Sequence, residues 1–415
     1  MVTSFFGAQS FGGDSVYVER LCRALLRRGH EVHVVRSPGA FESVRGSTPL
    51  RSYEPPDGLI EHRLGTGWRG KLDALWSHQT AGAGRNAATL RWIFEHEAFD
   101  VIHLHNISLL GGLGVPRVAS KLSRAVKLLT AHDYWWICPQ SLLWKFGRSV
   151  CEARACFTCN LRRGVPPQLW RRAGWVNDAF SGLDAILFPS TSTMRIYEAA
   201  GVKNHRLRVL PGLLPANWES RGQAPAGLAP GLLPARPFIA AAGRLVVEKG
   251  FQTVIPLMRQ VPGLDLVIAG DGPLRTELEL IASGMPNVKF VGLLPNDEVR
   301  LLFQHARAVV VPSLFPETFG LVLAEALALG APVIARCVGA IPEVAATSSR
   351  VMMFDGAKGL LNILREISQS SGELGACADG GTARTPAVWS EDGHLVEYFG
   401  LISEIRNQGQ TTVRQ

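Results

Sequence analysis

Two glutamates separated by seven residues are the first candidates for chemistry in this sequence. Glu317 and Glu325 lie in the segment FPETFGLVLAE, residues 315–325. We expect Glu317 to end a loop and a helix to run over 318–329. The N–H groups at a helix N-terminus attract phosphate, and a loop carboxylate accepts hydrogen bonds from sugar hydroxyls. The segment therefore predicts a site for a sugar phosphate. The alternative is a capped helix with a surface glutamate.

Two cations lie in a second candidate segment, GRLVVEKG at 243–250. Arg244 and Lys249 follow an apolar run, so we expect them to leave the end of a strand and to face a ligand. Two cations placed in this way neutralise the charge that develops on a diphosphate leaving group. Taken singly, each is more often a surface charge. Gly13, the second glycine of a Gly-Gly pair, lets a loop approach a ligand closely, although a plain turn has the same sequence.

The elements that must position these residues alternate between strands and helices. Short apolar runs read as buried strands at 101–104, 126–129, 185–188, 238–242, 266–269, 288–291, 308–311 and 332–335. This alternation is typical of a parallel sheet with helices on both faces, whose ligands bind beyond the carboxyl ends of the strands. The sequence predicts an α/β protein with two doubly wound, Rossmann-like domains that face a cleft.

The alternation stops at 213–237, which is rich in proline, glycine and alanine and is typical of a linker. We therefore expect an N-terminal domain over 1–212 and a C-terminal domain over 238–385. A helix and tail at 386–415 are expected to pack back toward the N-terminal domain. Before that helix, the segment 373–385 contains two adjacent glycines and is a poor helix former.

The composition excludes two classes of protein. Of the 415 residues, 47% are hydrophobic and 19% are charged, which is enough to bury large cores and excludes a disordered chain. No apolar run reaches the roughly 18–20 residues of a membrane span, and no basic segment followed by an apolar one opens the chain. We expect a cytoplasmic protein.

The net charge of +8 is concentrated in the first half of the chain. Residues 1–200 hold 24 Lys and Arg against 16 Asp and Glu, whereas the remainder holds 19 of each. A basic half favours an anionic partner, and the alternative is a solvated arginine-rich surface. The stretch 161–175 mixes arginine with tryptophan, and no nucleic-acid-binding motif accompanies it. It favours an anionic membrane surface and no nucleic acid partner.

Four cysteines form a separate cluster within an excursion that we expect over 138–175. Cys138, Cys151, Cys156 and Cys159 include one C-x-x-C pair, which has the spacing of zinc ligands. The gap between the first two is irregular for a standard zinc ribbon. Unpaired thiols, a structural zinc and disulfides all remain open.

The motifs taken in order resemble the family-4 glycosyltransferases of the GT-B fold. The resemblance runs from SFFGAQSFGGDSVYVERLCRALLRRGHEVHVV through DVIHLHN and TAHDYWW to GRLVVEKG, VIAGDGPLRTELE, FPETFGLVLAE and GAIPEV, and covers nearly the whole chain. It implies a retaining hexosyltransferase that uses a nucleotide-diphosphate sugar as donor and needs neither a catalytic metal nor another cofactor. The first strand, 2–6, is shorter than the family's. Either the start codon lies upstream of Met1, or Met1 is the true start and the first strand is short.

The resemblance also assigns roles to single residues. Arg244 and Lys249 would hold the donor diphosphate, Glu317 the donor sugar and Glu325 the ribose. The remaining donor-binding positions are Gly13, Phe319, Gly320 and Leu321.

Three histidines in the first half lie at the ends of predicted strands or just beyond them. His132, in TAHDYWW, matches a family histidine beside the reacting sugar, where its implied role is a hydrogen bond to a sugar hydroxyl rather than that of a general base. His103 and His105 flank Leu104. One interpretation is that they line the acceptor side, and we favour a structural role for both.

The basic first half suits a glycan or lipid-linked acceptor, as in bacterial cell-surface polysaccharide or glycolipid synthesis, with the enzyme peripheral at the inner face of the cytoplasmic membrane. Two alternatives remain. A GT-B sugar-nucleotide epimerase would act on the donor alone, and a catalytically inactive scaffold would have lost the charged residues that are present here.

Overall fold

The computed structural model describes residues 1–48, 53–122, 124–172, 174–203, 206–216, 218, 233–370 and 386–412. The chain divides into two compact units. The first comprises Met1–Phe146, Ala153–Leu213 and Val388–Gln415, and the second comprises Gly147–Glu152 and Leu214–Ala387. Most of the expected linker 213–237 and all of the segment 373–385 lie outside the described residues.

Parallel strands form the centre of the first unit. They are β1 (Val32–Arg36), β2 (Leu59–Arg63), β3 (Val101–Leu104), β4 (Val126–Thr130), β7 (Ala185–Phe188) and β8 (Leu207–Val209), and two-residue strands β5 (Trp144–Lys145) and β6 (Ser149–Val150) lie between β4 and β7 in the chain. β1 pairs with β2, and β3, β4, β7 and β8 pair in that order. Val2 joins the two sets, because it bridges to Val35 on one side and to Leu104 on the other.

The expected strand 2–6 is therefore reduced to a single bridging residue. The Val2 N–H donates to the His103 carbonyl at 2.9 Å, and the Thr3 N–H donates to the Val35 carbonyl at 3.0 Å. The chain then turns away through Gly7, whose φ of 64° lies in the left-handed region. The strand order still reverses at Val2, and loops at such a reversal commonly bind ligands.

Helices flank this sheet, and each buries one apolar or small-residue face. They are α1 (Gly13–Arg27), α2 (Pro38–Arg45), α3 (Gly67–Thr80), α4 (Asn86–His96), α5 (Gly114–Ala119), α6 (Cys156–Arg162), α7 (Trp175–Ser181) and α8 (Thr191–Ala199), with a 3-10 turn at Leu169–Arg172. In α1, buried Val18, Leu21, Cys22 and Leu25 recur at helical spacing, which fixes the face that packs on the sheet.

The C-terminal helix, Glu391–Thr412, belongs to the first unit. Its Glu391 pairs with Arg27 and Arg28 of α1. Its interior contacts are polar as well as apolar: the hydroxyl of Tyr17 lies 3.0 Å from His394 Nε2. These contacts fix the helix against α1.

The second unit is a six-stranded parallel sheet with helices on both faces. Its strands are β9 (Phe238–Ala242), β10 (Asp265–Ala269), β11 (Val288–Gly292), β12 (Ala308–Val311), β13 (Val333–Arg336) and β14 (Val351–Phe354). Its helices are α9 (Phe251–Val254), α10 (Arg275–Ile281), α11 (Asn296–His305), α12 (Leu321–Ala328), α13 (Ile341–Ala345) and α14 (Ala357–Gln369), with 3-10 turns at Val247–Lys249 and Ile255–Gln260.

The strands of the second unit run in the order β11–β10–β9–β12–β13–β14. The order reverses between β9 and β12, and ligands of such sheets commonly bind beyond the carboxyl ends of the strands at the reversal. The α/β class and the doubly wound parallel sheets expected from the sequence are confirmed. In the described part of the chain, no helix combines the length and apolar character needed to cross a bilayer.

Candidate functional site

At the carboxyl edge of the second sheet, beside the strand reversal, the backbones of neighbouring loops pack closely against one another. A Cβ on Gly270 would lie 1.9 Å from the Gly243 carbonyl oxygen, and one on Gly250 would lie 2.1 Å from the Pro312 carbonyl oxygen. Both positions also have left-handed φ values, 136° and 76°. Glycine is required at both, because a side chain would drive the loops after β9, β10 and β12 apart.

An ion pair spans the reversal point. Lys249 follows β9 and Glu317 follows β12, and Lys249 Nζ lies 2.6 Å from Glu317 Oε1. The hydroxyl of Ser313 donates to the same oxygen at 2.6 Å. Glu317 is only 8% exposed. The lysine ammonium uses one of its three hydrogens on this carboxylate, which leaves two for a ligand such as a phosphate.

Neighbouring loops hold Glu317 in this position. Its carbonyl accepts a hydrogen bond from the Ala340 N–H at 2.9 Å. A Cβ on Gly339 would lie 2.6 Å from the Glu317 nitrogen, so the GAIPEV segment lies directly against the Glu317 backbone. Ser313 was not predicted as a site residue, although its place four residues before Glu317 and shortly after a buried strand was a usable signal.

The helix after Glu317 begins later than expected. It is α12, Leu321–Ala328, and Gly320 precedes it with φ 88°. Thr318 and Phe319 therefore lie in the loop, and the expected start at Thr318 is wrong. The reason is the left-handed conformation of Gly320, which cannot be part of a right-handed helical turn. Phe319 is buried and packs the loop inward.

Glu325 and Arg244 lie on the elements that the sequence assigned to them. Glu325 is half-buried on α12, and its carbonyl accepts a hydrogen bond from the indole N–H of Trp218 at 2.8 Å. Arg244 is half-buried in the loop after β9, five residues before Lys249. The second unit thus carries Arg244, Lys249, Glu317 and Glu325 on the loops and helix that follow β9 and β12.

In the first unit, His132 follows β4 and joins a histidine cluster. Its Nε2 lies 3.0 Å from His105 Nδ1, and its ring lies 4.9 Å from the ring of Tyr17. Burial lowers the pKa of His132 to about 3. The imidazole is therefore neutral near pH 7, which suits a hydrogen-bonding role better than that of a proton store.

His103 and His105 differ in what they contact. His103 is buried between the Thr130 hydroxyl, at 2.7 Å, and the Tyr398 hydroxyl, at 3.2 Å. These partners make it a structural link to the C-terminal helix. His105 contacts His132 directly and can orient its ring, although we interpreted it as structural.

Asp133 was missed by sequence analysis. Burial, opposed by a hydrogen bond from the Trp135 N–H, raises the pKa of Asp133 to about 7. That N–H donates to Asp133 Oδ1 at 2.8 Å, and the hydroxyl of Tyr197 donates to the Asp133 carbonyl at 2.6 Å. The signal was the His-Asp pair directly after a buried strand.

Gly13 is the first residue of α1, near the strand reversal of the first unit. The left-handed φ belongs to its neighbour Gly12, at 97°. Beside them, Asn106 donates from Nδ2 to Asp14 Oδ2 at 3.0 Å, which ties the loop after β3 to the start of α1.

The cysteines of the excursion are free thiols, which removes the disulfide alternative. Cys138 and Cys159 are buried, and the sulfur of Cys159 accepts a hydrogen bond from the Phe146 N–H at 3.3 Å. Among the described residues of the first unit, Cys138, Cys156 and Cys159 do not form a group whose ligand atoms all lie within 4.8 Å. Zinc at these thiols stays a prediction.

The Arg/Trp stretch 161–175, where the sequence predicts a membrane surface, combines exposed and buried residues. Trp170 is buried, and the Arg171 guanidinium lies 4.4 Å from its ring centre and 5.1 Å from that of Trp135. Burial lowers the pKa of Arg171 to about 10. Arg171 therefore packs between aromatic rings, whereas Leu161, Leu169 and Trp175 are exposed. A membrane surface at this stretch stays a prediction.

Comparison with known proteins identifies the family. A profile described as "Glycosyltransferase Family 4" matches residues 11–214, and one described as "Glycosyl transferases group 1" matches residues 230–358. Sulfoquinovosyl transferase SQD2 of Arabidopsis thaliana is 37% identical over 111 residues, which is 27% of this chain and 21% of that protein.

A second relative matches a longer part of this chain. A GDP-mannose-dependent monoacylated alpha-(1-6)-phosphatidylinositol monomannoside mannosyltransferase of Corynebacterium glutamicum is 29% identical over 226 residues, 50% of this chain and 59% of that protein. Both matches thus span less than two thirds of the relatives' lengths. Among solved structures, sucrose-phosphate synthase from Thermosynechococcus elongatus superposes with a TM-score of 0.64 at 19% identity, covering 100% of this chain and 98% of that chain. The profiles and the fold agree with the motifs, and the chain belongs to the group 1, family-4 glycosyltransferases of the GT-B fold.

Proposed function

We propose that this protein transfers a sugar from a nucleotide-diphosphate sugar to a glycan or lipid-linked acceptor, with retention of anomeric configuration. The observation that carries the proposal is the contact of Lys249 and Ser313 with Glu317 across the strand reversal of the second unit. In a sugar nucleotide the sugar is bonded directly to the diphosphate. A carboxylate that binds sugar hydroxyls must therefore adjoin a cation that binds phosphate, as these two groups do.

The second unit would bind the donor through four side chains. Lys249 and Arg244 offset the negative charge that grows on the diphosphate as the glycosidic bond breaks. Glu317 accepts hydrogen bonds from the sugar, and Glu325 accepts them from the ribose. Because Lys249 and Arg244 would compensate the charge on the diphosphate, the proposed reaction needs no catalytic metal. His132 of the first unit, neutral near pH 7, would form a hydrogen bond with a sugar hydroxyl.

The acceptor is proposed to be held at an anionic membrane surface, and α3 supports this part of the proposal. Trp68, Leu72, Leu75 and Trp76 recur at i, i+4, i+7 and i+8, so they share one face of the helix. All four side chains are more than half exposed, from 51% to 67%. An exposed apolar stripe of this kind on a helix is typical of proteins that lie on a bilayer interface.

The opposite face of α3 explains why this stripe is exposed. It carries buried Gly70, Ala74 and Ser77. A Cβ on Gly70 would lie 2.3 Å from the Gly65 carbonyl oxygen and 3.0 Å from Gly39 of α2. Only small residues permit this approach, so the small-residue face packs inward and the tryptophan face points outward.

Cations flank the stripe. Arg69 and Lys71 are exposed on either side of it, and the Arg69 guanidinium lies 5.4 Å from the ring centre of Trp68. Basic residues beside tryptophan favour an anionic lipid surface over a neutral apolar partner. The lipid acceptor in the name of the corynebacterial relative is consistent with this choice.

The proposal is tested with sugar nucleotides on UDP, GDP, ADP and dTDP. A bound donor should raise the melting temperature by mass action, and the donor that does so is then used in a transfer assay with a lipid-linked acceptor. We expect product only when both substrates are present, with the anomeric configuration of the donor by NMR. Conversion of the donor alone into a different sugar nucleotide would instead identify an epimerase. No stabilisation by any of the four would contradict the donor site.

A further inference from the structure

A cluster of two histidines and a glutamate lies in the first unit, outside the residues assigned above. His33 is on β1, His62 is on the neighbouring strand β2, and Glu97 immediately follows α4. One ligand atom from each lies within 4.8 Å of the other two. We propose that this cluster binds a divalent transition-metal ion, with zinc as the best match to two imidazoles and one carboxylate.

The hydrogen bonds of His33 identify its ligand atom. Its Nε2 lies 2.8 Å from Glu31 Oε1. A carboxylate only accepts, so Nε2 carries the hydrogen in the neutral ring and Nδ1 presents a lone pair. A carboxylate that orients a metal-binding histidine through its other nitrogen is a recurrent feature of zinc sites.

The ligand atoms converge on the lone pair of His33. Its Nδ1 lies 2.8 Å from His62 Nε2 and 4.0 Å from Glu97 Oε2. Two nitrogens bound to one zinc at about 2.0–2.1 Å in tetrahedral geometry lie about 3.3 Å apart. The imidazoles must separate by about 0.5 Å, and the hydrogen of His62 Nε2 must move to its Nδ1. Both changes are small for His62, which lies on an edge strand.

The charges around the cluster favour the bound ion. Glu31 and Glu97 place two carboxylates beside the imidazoles, which offsets a divalent charge despite the Met1 ammonium that donates to the His33 carbonyl at 2.7 Å. The ion would tie β2, at the edge of the sheet, to β1 and to the end of α4.

The test measures zinc and cobalt binding to the full chain after removal of metal with a chelator. We expect about one equivalent at this cluster and a rise in melting temperature with added zinc. His62→Ala and Glu97→Gln, both at partly exposed positions, should each weaken binding more than tenfold, and Glu31→Gln about 10–100-fold. His305→Ala, an exposed histidine on α11, is the matched control and should bind as the parent does.

Cobalt distinguishes this site from the cysteines. Imidazole and carboxylate ligands give only weak visible bands, whereas thiolates add strong charge-transfer bands in the near ultraviolet. The expected result is weak visible bands that disappear in His62→Ala. Zinc binding that is equal in the parent, His62→Ala and Glu97→Gln proteins, or cobalt spectra with thiolate bands alone, would overturn the proposal and leave the His33–His62 contact as a hydrogen bond only.

Discussion

Replacing Lys249 by methionine should separate the structural and the chemical roles of the ion pair. Lys249 Nζ lies 2.6 Å from Glu317 Oε1, and the variant leaves that carboxylate, 8% exposed, with the Ser313 hydroxyl as the remaining donor to Oε1. Breaking a buried pair from one side costs about 3–5 kcal/mol. Because 28% of the Lys249 side chain is exposed, we expect a smaller loss of about 2–3 kcal/mol in the free energy of unfolding of the second unit.

The double variant Lys249→Met, Glu317→Gln should recover most of that stability, since no buried charge is left without its partner. It should not recover activity. Losing a cation that faces the developing diphosphate charge costs about 10²–10³ in rate. Urea unfolding gives the first quantity, and release of nucleoside diphosphate in the transfer assay gives the second.

Lys358→Met, at an exposed lysine on α14, is the matched control and should leave both quantities unchanged. Near-normal transfer by the Lys249→Met protein would refute the assignment. So would a double variant that regains activity together with stability, because the lysine would then act only by neutralising Glu317.

Four further predictions concern other parts of the chain. Glu325→Ala should weaken binding of the nucleotide diphosphate, by calorimetry, more than it slows turnover of bound donor, since the ribose is remote from the breaking bond; equal effects on both would contradict its role. Asp133→Asn should stabilise the first unit above pH 7 by up to about 4 kcal/mol, because the folded pKa of Asp133, about 7, exceeds the ordinary value of 3.8. The parent therefore loses stability as the pH rises between these two values. Free energies of unfolding at pH 4 and pH 8 measure this, and a difference between variant and parent that does not depend on pH would count against it. Trp68→Ser with Trp76→Ser should abolish salt-sensitive binding to anionic vesicles, whereas Trp92→Ser on α4, where the side chain is 53% exposed, should reduce it less. Binding to neutral vesicles that equals binding to anionic ones would rule out the charge contribution. If the cysteines bind zinc, Cys156→Ser with Cys159→Ser should remove about one equivalent by elemental analysis, and unchanged metal content would exclude it.

Local sequence pattern was enough to predict much of the fold and the elements that carry the candidate site residues. Buried strands such as β10 and β12 are short and almost continuously apolar. They can be recognised from sequence because apolar side chains are buried away from water whatever the rest of the fold. The segments that carry Lys249 and Glu317 follow such strands, so their position at the carboxyl edge of a parallel sheet also follows from chain order. The family resemblance rests on the same contiguous segments.

Contacts between residues distant in sequence could not be predicted in this way. Lys249 and Glu317 are 68 positions apart, and their contact depends on β9 and β12 being neighbours in the sheet. The cluster of His33, His62 and Glu97 likewise requires the pairing of β1 with β2 and the position of α4. Nothing in the individual segments marks these residues as partners.

The direction in which a patterned face points was also decided by the tertiary structure. The stripe Trp68, Leu72, Leu75 and Trp76 has the spacing of a core-facing helix, yet it is exposed. The spacing of apolar residues shows that a helix has two different faces. Which of the two faces is buried depends on how closely the neighbouring elements approach each face. In α3, the close packing of Gly70 against Gly39 selects the small-residue face for burial. The side chain of Arg171 packs between aromatic rings, although sequence alone suggested that this arginine faced outward.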